Sequence, residues 1–352
     1  MTVNSIDKLP AATRTVPVRT IGLTKRFGAR TALDGLDLEL ERGEVFGMVG
    51  PNGAGKTTTM RLLLDILRPS AGTVRVLGLD PRAGGAALRR QIGYLPGELR
   101  LEGRLSARSL LEHYASISGA VEPAMIEGLA ERLGLDLSRQ VRKLSKGNKQ
   151  KVGLIQAFMH RPELLILDEP TSGLDPVVQQ EFLTMVREAS AEGQTVFLSS
   201  HVLSEIDQAA DRVGVLHRGK LVKVGGVAGL RRSQRRRVKA TLRGSLGRQR
   251  SAFSDGLAEP MADPAALAVD AKQSERAAEL RARLERLPQA AEVQLRQGDA
   301  GVISFSLSLA GEVDPLIKLL AGYEVVDLVV AEPVFEEAVM DLYREEGNKN
   351  DA

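Results

Sequence analysis

The stretch Gly50-Pro51-Asn52-Gly53-Ala54-Gly55-Lys56-Thr57-Thr58 constrains the chain more than any other. It follows the apolar run Val45-Phe46-Gly47-Met48-Val49 and leads into Thr59-Met60-Arg61-Leu62-Leu63-Leu64, whose apolar spacing is helical. The glycines let the backbone curl so that several N–H groups converge on one point. A helix starting at Lys56 turns its positive end toward the same point. Such a cradle suits phosphate, and residues 50–57 match the pattern G-x-x-x-x-G-K-[ST]. In that pattern Lys56 bridges phosphates as a point charge and the Thr57 hydroxyl ligates Mg²⁺. Strand, glycine loop and helix in that order read as a nucleotide site on an α/β core.

A second feature lies more than a hundred residues downstream. Leu164-Leu165-Ile166-Leu167 reads as a buried strand, and it ends in Asp168 and Glu169. Two acids at a strand end make an ordinary turn when they stand alone. Beside a phosphate loop they supply what hydrolysis needs: one carboxylate for the metal and one to orient and deprotonate water. Asp168 is therefore read as the Mg²⁺ acid and Glu169 as the general base.

The wider organisation agrees with two domains for 352 residues. Residues 16–229 alternate strand and helix patterns. The helical expectations are a segment from Lys56 to Pro69, then segments in 105–118, 124–135 and 151–162. Residues 230–346 follow a β-α-β-β-α-β order with one last helix, the split βαβ arrangement of a small α+β, ferredoxin-like domain. Residues 1–15 read as a disordered lead, 251–273 as partly loop, and 347–352 as a frayed tail. No apolar stretch reaches a membrane-spanning length, and the first residues lack a secretory apolar core. The absence of cysteine excludes a disulfide framework and fits a reducing compartment. Nine Arg or Lys and no acid fall between Arg231 and Arg250. Such a block suits a solvated linker or basic face, or contact with anionic lipid headgroups. Nucleic acid fits less well, because aromatic residues for stacking are scarce.

Three further motifs occur in order: Leu144-Ser145-Lys146-Gly147-Asn148-Lys149-Gln150, Thr171-Ser172-Gly173-Leu174-Asp175, and His201 in Ser199-Ser200-His201. With the phosphate loop and the acid pair, the chain resembles the ATPase subunits of ATP-binding-cassette transporters over residues 16–229. The resemblance implies a P-loop NTPase cassette: a mixed sheet with flanking helices and a helical subdomain, using ATP and Mg²⁺. It implies that Ser145, Lys146, Gly147 and Asn148 cap the ATP held by a second copy. His201 then contacts the γ-phosphate, Asp175 aligns the two sites across the dimer, and Phe27 stacks on adenine. Phe27 also suits an ordinary core position. The subunit is expected at the inner face of the cell membrane, as a homodimer or with a second cassette ATPase. It drives an integral-membrane permease on a separate chain, and no nucleic acid is expected.

Two departures stand out. The family usually has Gln after the Pro of the Gly93-Tyr94-Leu95-Pro96 stretch; here Gly97 takes that place and Glu98 follows. The metal contact is then lost or passed to Glu98. The signature carries Lys146 for the usual Gly and Asn148 for the usual Gln. Neither change removes Lys56, Asp168, Glu169 or His201, so an active ATPase is expected. The stretches around Pro96, Ser145 and Asp341 look most like bacterial two-component drug and antibiotic exporters. An importer ATPase and a soluble non-transport cassette protein are the alternatives. The short separation of Thr58 from Ser145 leaves no room for the long coiled coil of a chromosome-maintenance ATPase.

Overall fold

The structure is a computed structural model that describes residues 16–119, 121–232, 236–243, 264–287, 289–298 and 302–331, with 335–336, 339–340 and 342–343. The chain divides into two units, Met1–Ala228 with Val339–Ala352, and Gly229–Ala338.

In the first unit β1 (Val18–Phe27) and β2 (Arg30–Leu40) pair antiparallel across a tight turn at Gly28, whose φ is 58°. The strand β3 (Val45–Val49) is buried along its whole length and delivers the chain to α1 (Lys56–Leu63). Next, β4 (Ala71–Val76) pairs with the free edge of β1, closing a three-stranded sheet in the order β2-β1-β4. The helix α2 (Pro81–Arg89) is capped by Asp80, which accepts from the amides of Arg82 and Ala83, and leads to β5 (Ile92–Leu95). Two helices, α3 (Ala107–Ser118) and α4 (Pro123–Arg132), pack on α5 (Lys146–Phe158). The rest alternates: β6 (Leu164–Asp168), α6 (Pro176–Ala191), β7 (Thr195–Ser200), α7 (Leu203–Ala209), β8 (Arg212–His217) and β9 (Lys220–Gly226).

These strands form a six-stranded sheet in the order β5-β6-β7-β3-β8-β9, parallel except for β9. Every residue of β3, β6 and β7 is buried, as a sheet covered on both faces requires. Phe46 of β3 and Phe197 of β7 pack with ring centroids 5.8 Å apart. Parallel pairing brings the carboxyl ends of these three strands to one edge, with Val49 beside Ser200 and Asp168 beside Ser199.

After α8 (Val227–Arg232), the second unit runs β10 (Arg236–Arg243), α9 (Pro264–Glu285), β11 (Ala290–Gln297), β12 (Val302–Leu309), α10 (Asp314–Leu320) and β13 (Glu324–Ala331). Its sheet is antiparallel throughout, in the order β11-β12-β10-β13. The element order and the central place of the first strand are those of the split βαβ arrangement. Leu280 and Leu284 of α9 join a core with Val238, Phe305 and Leu307.

Two sequence expectations are corrected. The first helix stops at Leu63 rather than running to Pro69. Asp65 takes a left-handed φ of 55°, and the amides of Ile66 and Leu67 both turn back to the carbonyl of Arg61. The helix α9 begins at Pro264, inside the stretch read as partly loop, with proline at a helix start where no amide is needed. The later part of the basic block forms the strand expected there and carries a basic face: Arg237, Lys239 and Arg243 point outward from β10 while Val238, Ala240 and Leu242 are buried. The lead at 1–15 and the tail at 347–352 lie outside the described residues.

Candidate active site

The loop after β3 admits no side chain at Gly50 or Gly55. A Cβ on Gly50 would stand 2.5 Å from the carbonyl oxygen of Leu216. Gly55 has a φ of 117°, and its Cβ would meet Leu33 Cδ2 at 2.6 Å and the carbonyl of Ala32 at 2.8 Å. Gly55 also offers no side-chain cap to α1, so the first amides of that helix are left for an anion. Thr59 Oγ1 donates to the carbonyl of Gly55 at 3.0 Å and ties the first turn. Lys56 is only 7% exposed, and its Nζ donates to the carbonyl of Gly50 at 2.6 Å.

The end of β6 supplies the acids. Asp168 is fully buried; its Oδ1 accepts from Ser199 Oγ at 2.6 Å, while Oδ2 has no hydrogen-bond partner. Gly97 lies against that bare oxygen, since a Cβ there would be 3.0 Å from Asp168 Oδ2. Glu169 sits in left-handed backbone with a φ of 50°. Its amide donates to the carbonyl and to the hydroxyl of Ser199, at 3.2 and 3.1 Å. Its carboxylate bridges two partners: Oε1 lies 3.5 Å from Lys56 Nζ, and Oε2 lies 2.5 Å from His201 Nδ1. The amide of His201 also donates to Oε2, at 3.3 Å.

One cavity of about 590 Å³ is lined by Phe27, Pro51, Asn52, Gly53, Ala54, Gly55, Lys56, Thr57, Thr58, Gly97, Glu98, Asp168, Glu169 and His201. Phe27 is 48% exposed, with Lys25 Nζ 5.0 Å from its ring centroid, so it is not a core residue. Glu98 is paired with Arg100 at 2.6 Å, and that hydrogen bond holds its carboxyl below the usual range. Sequence reasoning missed four cavity residues, Arg30, Ala32, Arg61 and Ser172, and also Ser199 beneath the acids. Tyr94 is raised above the usual tyrosine range, first by burial and then by the charge of Asp168.

The signature residues do not line this cavity. Ser145 caps α5, its Oγ accepting from the amide of Asn148 at 3.3 Å. Gly147 abuts the Thr171–Asp175 loop so closely that a Cβ would be 2.5 Å from the carbonyl of Gly173. Lys146 Nζ donates to Ser172 Oγ at 3.0 Å. Asp175 caps α6, its Oδ1 accepting from the amides of Val177 and Val178 at 3.1 and 3.0 Å.

The donor set fits Mg²⁺. The bare, buried Asp168 Oδ2 and Thr57 share one cavity, and Mg²⁺ is commonly held by one or two carboxylates together with substrate phosphates. The described residues contain no cluster of three or more His, Asp or Glu suited to a metal, and such a site needs none.

A glycine cradle at a helix start, facing two consecutive acids at the end of a nearby strand, defines a P-loop nucleotide hydrolase. The ABC transporter family profile matches residues 33–172. The bacitracin transport ATP-binding protein BcrA of Bacillus licheniformis is 38% identical over 209 residues, 58% of this chain and 68% of its own length. The daunorubicin resistance ATP-binding protein DrrA3 of Streptomyces coeruleorubidus is 42% identical over 209 residues, 58% of this chain and 66% of its own. A solved ATP-binding subunit of an ABC transporter aligns with a TM-score of 0.58 at 31% identity, over 61% of this chain and 92% of its own. The chain belongs to the ABC transporter family, as an ATP-binding ATPase subunit.

Proposed function

We propose that the chain powers an exporter of the bacterial drug- and antibiotic-resistance type, working with a separate integral-membrane permease from the inner face of the cell membrane. Relatives concerned with bacitracin transport and daunorubicin resistance support the class of cargo. No helix among the described residues is long and apolar enough to cross a membrane, which agrees with a permease on another chain.

The observation that carries the reading is the row Lys56–Glu169–His201 beside the bare Asp168 Oδ2, all around one cavity. Lys56 and the free amides of α1 bind the phosphates of ATP, and Phe27 stacks on the base. Thr57 and Asp168 hold Mg²⁺, which when bound neutralises charge on the phosphate oxygens. Glu169 orients and deprotonates the attacking water, and His201 contacts the γ-phosphate and holds that water in line. The bond between His201 and Glu169 keeps both groups on one side of the cavity. Ser145, Lys146, Gly147 and Asn148 lie outside this cavity, which supports a role over the ATP of a second copy or a second cassette ATPase. Asp175 aligns the two sites. ATP closes that head-to-tail dimer, hydrolysis opens it, and the permease takes up the motion.

The test is ATP turnover by the purified chain, with size-exclusion chromatography with and without ATP, for the parent and Glu169→Gln. The variant is expected to lose turnover by about 10²- to 10⁴-fold, keep ATP binding and elute as an ATP-dependent dimer. Turnover at the parent rate removes Glu169 as the base. Monomeric elution with ATP bound removes the head-to-tail dimer.

A further inference from the structure

The first two turns of α5 grip the turn that carries Glu169 of the same chain. Gln150 is 3% exposed, and its Nε2 donates to the carbonyl of Pro170 at 2.9 Å and to that of Glu169 at 3.4 Å. One turn earlier, Lys146 runs over Gly173 and reaches Ser172, a wall of the nucleotide cavity. Between these holds, the amide of Ser172 donates back to the carbonyl of Glu169 at 3.2 Å, so the turn is closed on itself. Glu169 occupies left-handed backbone, a strained conformation for a residue other than glycine, which persists only where surroundings fix it. From below, Ser199 holds the amide of Glu169. From the other side, Gln150 alone among the described residues brings a side chain to its carbonyl.

We infer that Gln150 is a positioning residue for Glu169: its buried amide holds the strained turn so that the carboxylate points at the attacking water. The inference rests on Glu169 being the general base. Lys146 adds an outer hold on the same turn. Because both residues belong to the helix that begins at Ser145, the start of α5 and the base of the same chain form one mechanical piece.

The experiment uses the full chain with Gln150→Leu, Gln150→Glu, Lys146→Ala and Glu169→Gln, measuring kcat, KM, nucleotide affinity and thermal midpoint. Gln150→Leu keeps the volume and loses both donors, and its kcat falls about tenfold or more with nucleotide affinity within about twofold. Lys146→Ala, which removes the exposed hold, lowers kcat by about twofold. Gln150→Glu gives the readout that a purely structural role does not move. Its ionised carboxylate has no proton to donate, while its protonated form donates one. The ratio of its kcat to that of the parent therefore rises as pH falls from about 8 to about 6, the range where a buried carboxyl titrates. A kcat for Gln150→Leu within twofold of the parent overturns the inference. Should that variant fail to fold, a pH-independent ratio for Gln150→Glu overturns it instead. Glu169→Gln turning over at the parent rate defeats the base assignment itself, whereas an inactive Glu169→Gln beside unaffected Gln150 variants defeats only the positioning role.

Discussion

The two larger sheets of this chain handle polar groups in opposite ways. In the parallel sheet β3 and the first part of β6 are apolar, and the polar groups sit at strand ends: Asp168, Ser199 and Ser200, all fully buried. In the antiparallel sheet of the second unit they lie along the strands. On β12, Ile303, Phe305, Leu307 and Leu309 turn to the core while Ser304, Ser306 and Ser308 turn away. A sheet covered on both faces can show chemistry only where its strands stop, and parallel strands all stop at one edge. Polar side chains spread over a half-exposed face have no such point of convergence.

Four variants can break or sharpen that contrast. The largest effect is expected from Gly55→Ala, which combines a φ of 117° with a Cβ inside contact distance of Leu33 and Ala32. Strain and collision together should weaken ATP binding about a hundredfold, measured by titration with a fluorescent nucleotide. Affinity near that of the parent would refute the account of the loop. Leu280→Ala, in the core of the second unit, should cost about 2 kcal/mol of stability there without changing ATP affinity. A matching loss of affinity would mean that the two units cannot be treated separately. Smaller still is Gly97→Ala, which brings a Cβ to 3.0 Å from Asp168 Oδ2 but adds no ligand. The Mg²⁺ concentration for half-maximal turnover should rise by about threefold, roughly 0.7 kcal/mol, with Mg²⁺-free ATP binding unchanged. An unaltered Mg²⁺ response would count against Asp168 as the metal acid.

The smallest effect concerns Asp175, whose carboxyl is held below the usual aspartate range, chiefly by the hydrogen bond from the amide of Val178. A lowered folded value means stabilisation that is present above the ordinary aspartate pKa and lost as pH falls through the lowered value. The gap in thermal midpoint between parent and Asp175→Ala should be open at neutral pH and close in acid. A gap that persists unchanged into acid would show that the charge contributes nothing.

What the sequence made legible was whatever is local. The glycine loop, the acids after Leu167 and the alternation from Val302 to Leu309 each announce themselves within about ten residues. Ser199 stayed hidden because it joins the site only through the register of β6 against β7, Asp168 beside Ser199. Gln150 lies within the signature stretch, but nothing in the sequence places it beside the carbonyl of Glu169. Lys146 looked like a departure from a family pattern, and its reach to Ser172 emerges only when the two loops meet. The early end of α1 escaped for another reason. Leu62 to Leu67 keeps a helix-like apolar pattern, but Asp65 turns left-handed and Ile66 beyond it stands 55% exposed, so the pattern there does not mark a buried helix face.

The left-handed backbone at Glu169 also limits how this enzyme can be redesigned. Glycine, and after it Asn and Asp, enter that region most readily, whereas β-branched residues are the outliers there. Substitutions meant to turn the hydrolase into a clamp that stays loaded should therefore be drawn from Gln, Asn, Asp and Gly. Val, Ile or Thr at the same place would add strain to the turn, so activity lost there would report on the backbone as well as on the chemistry.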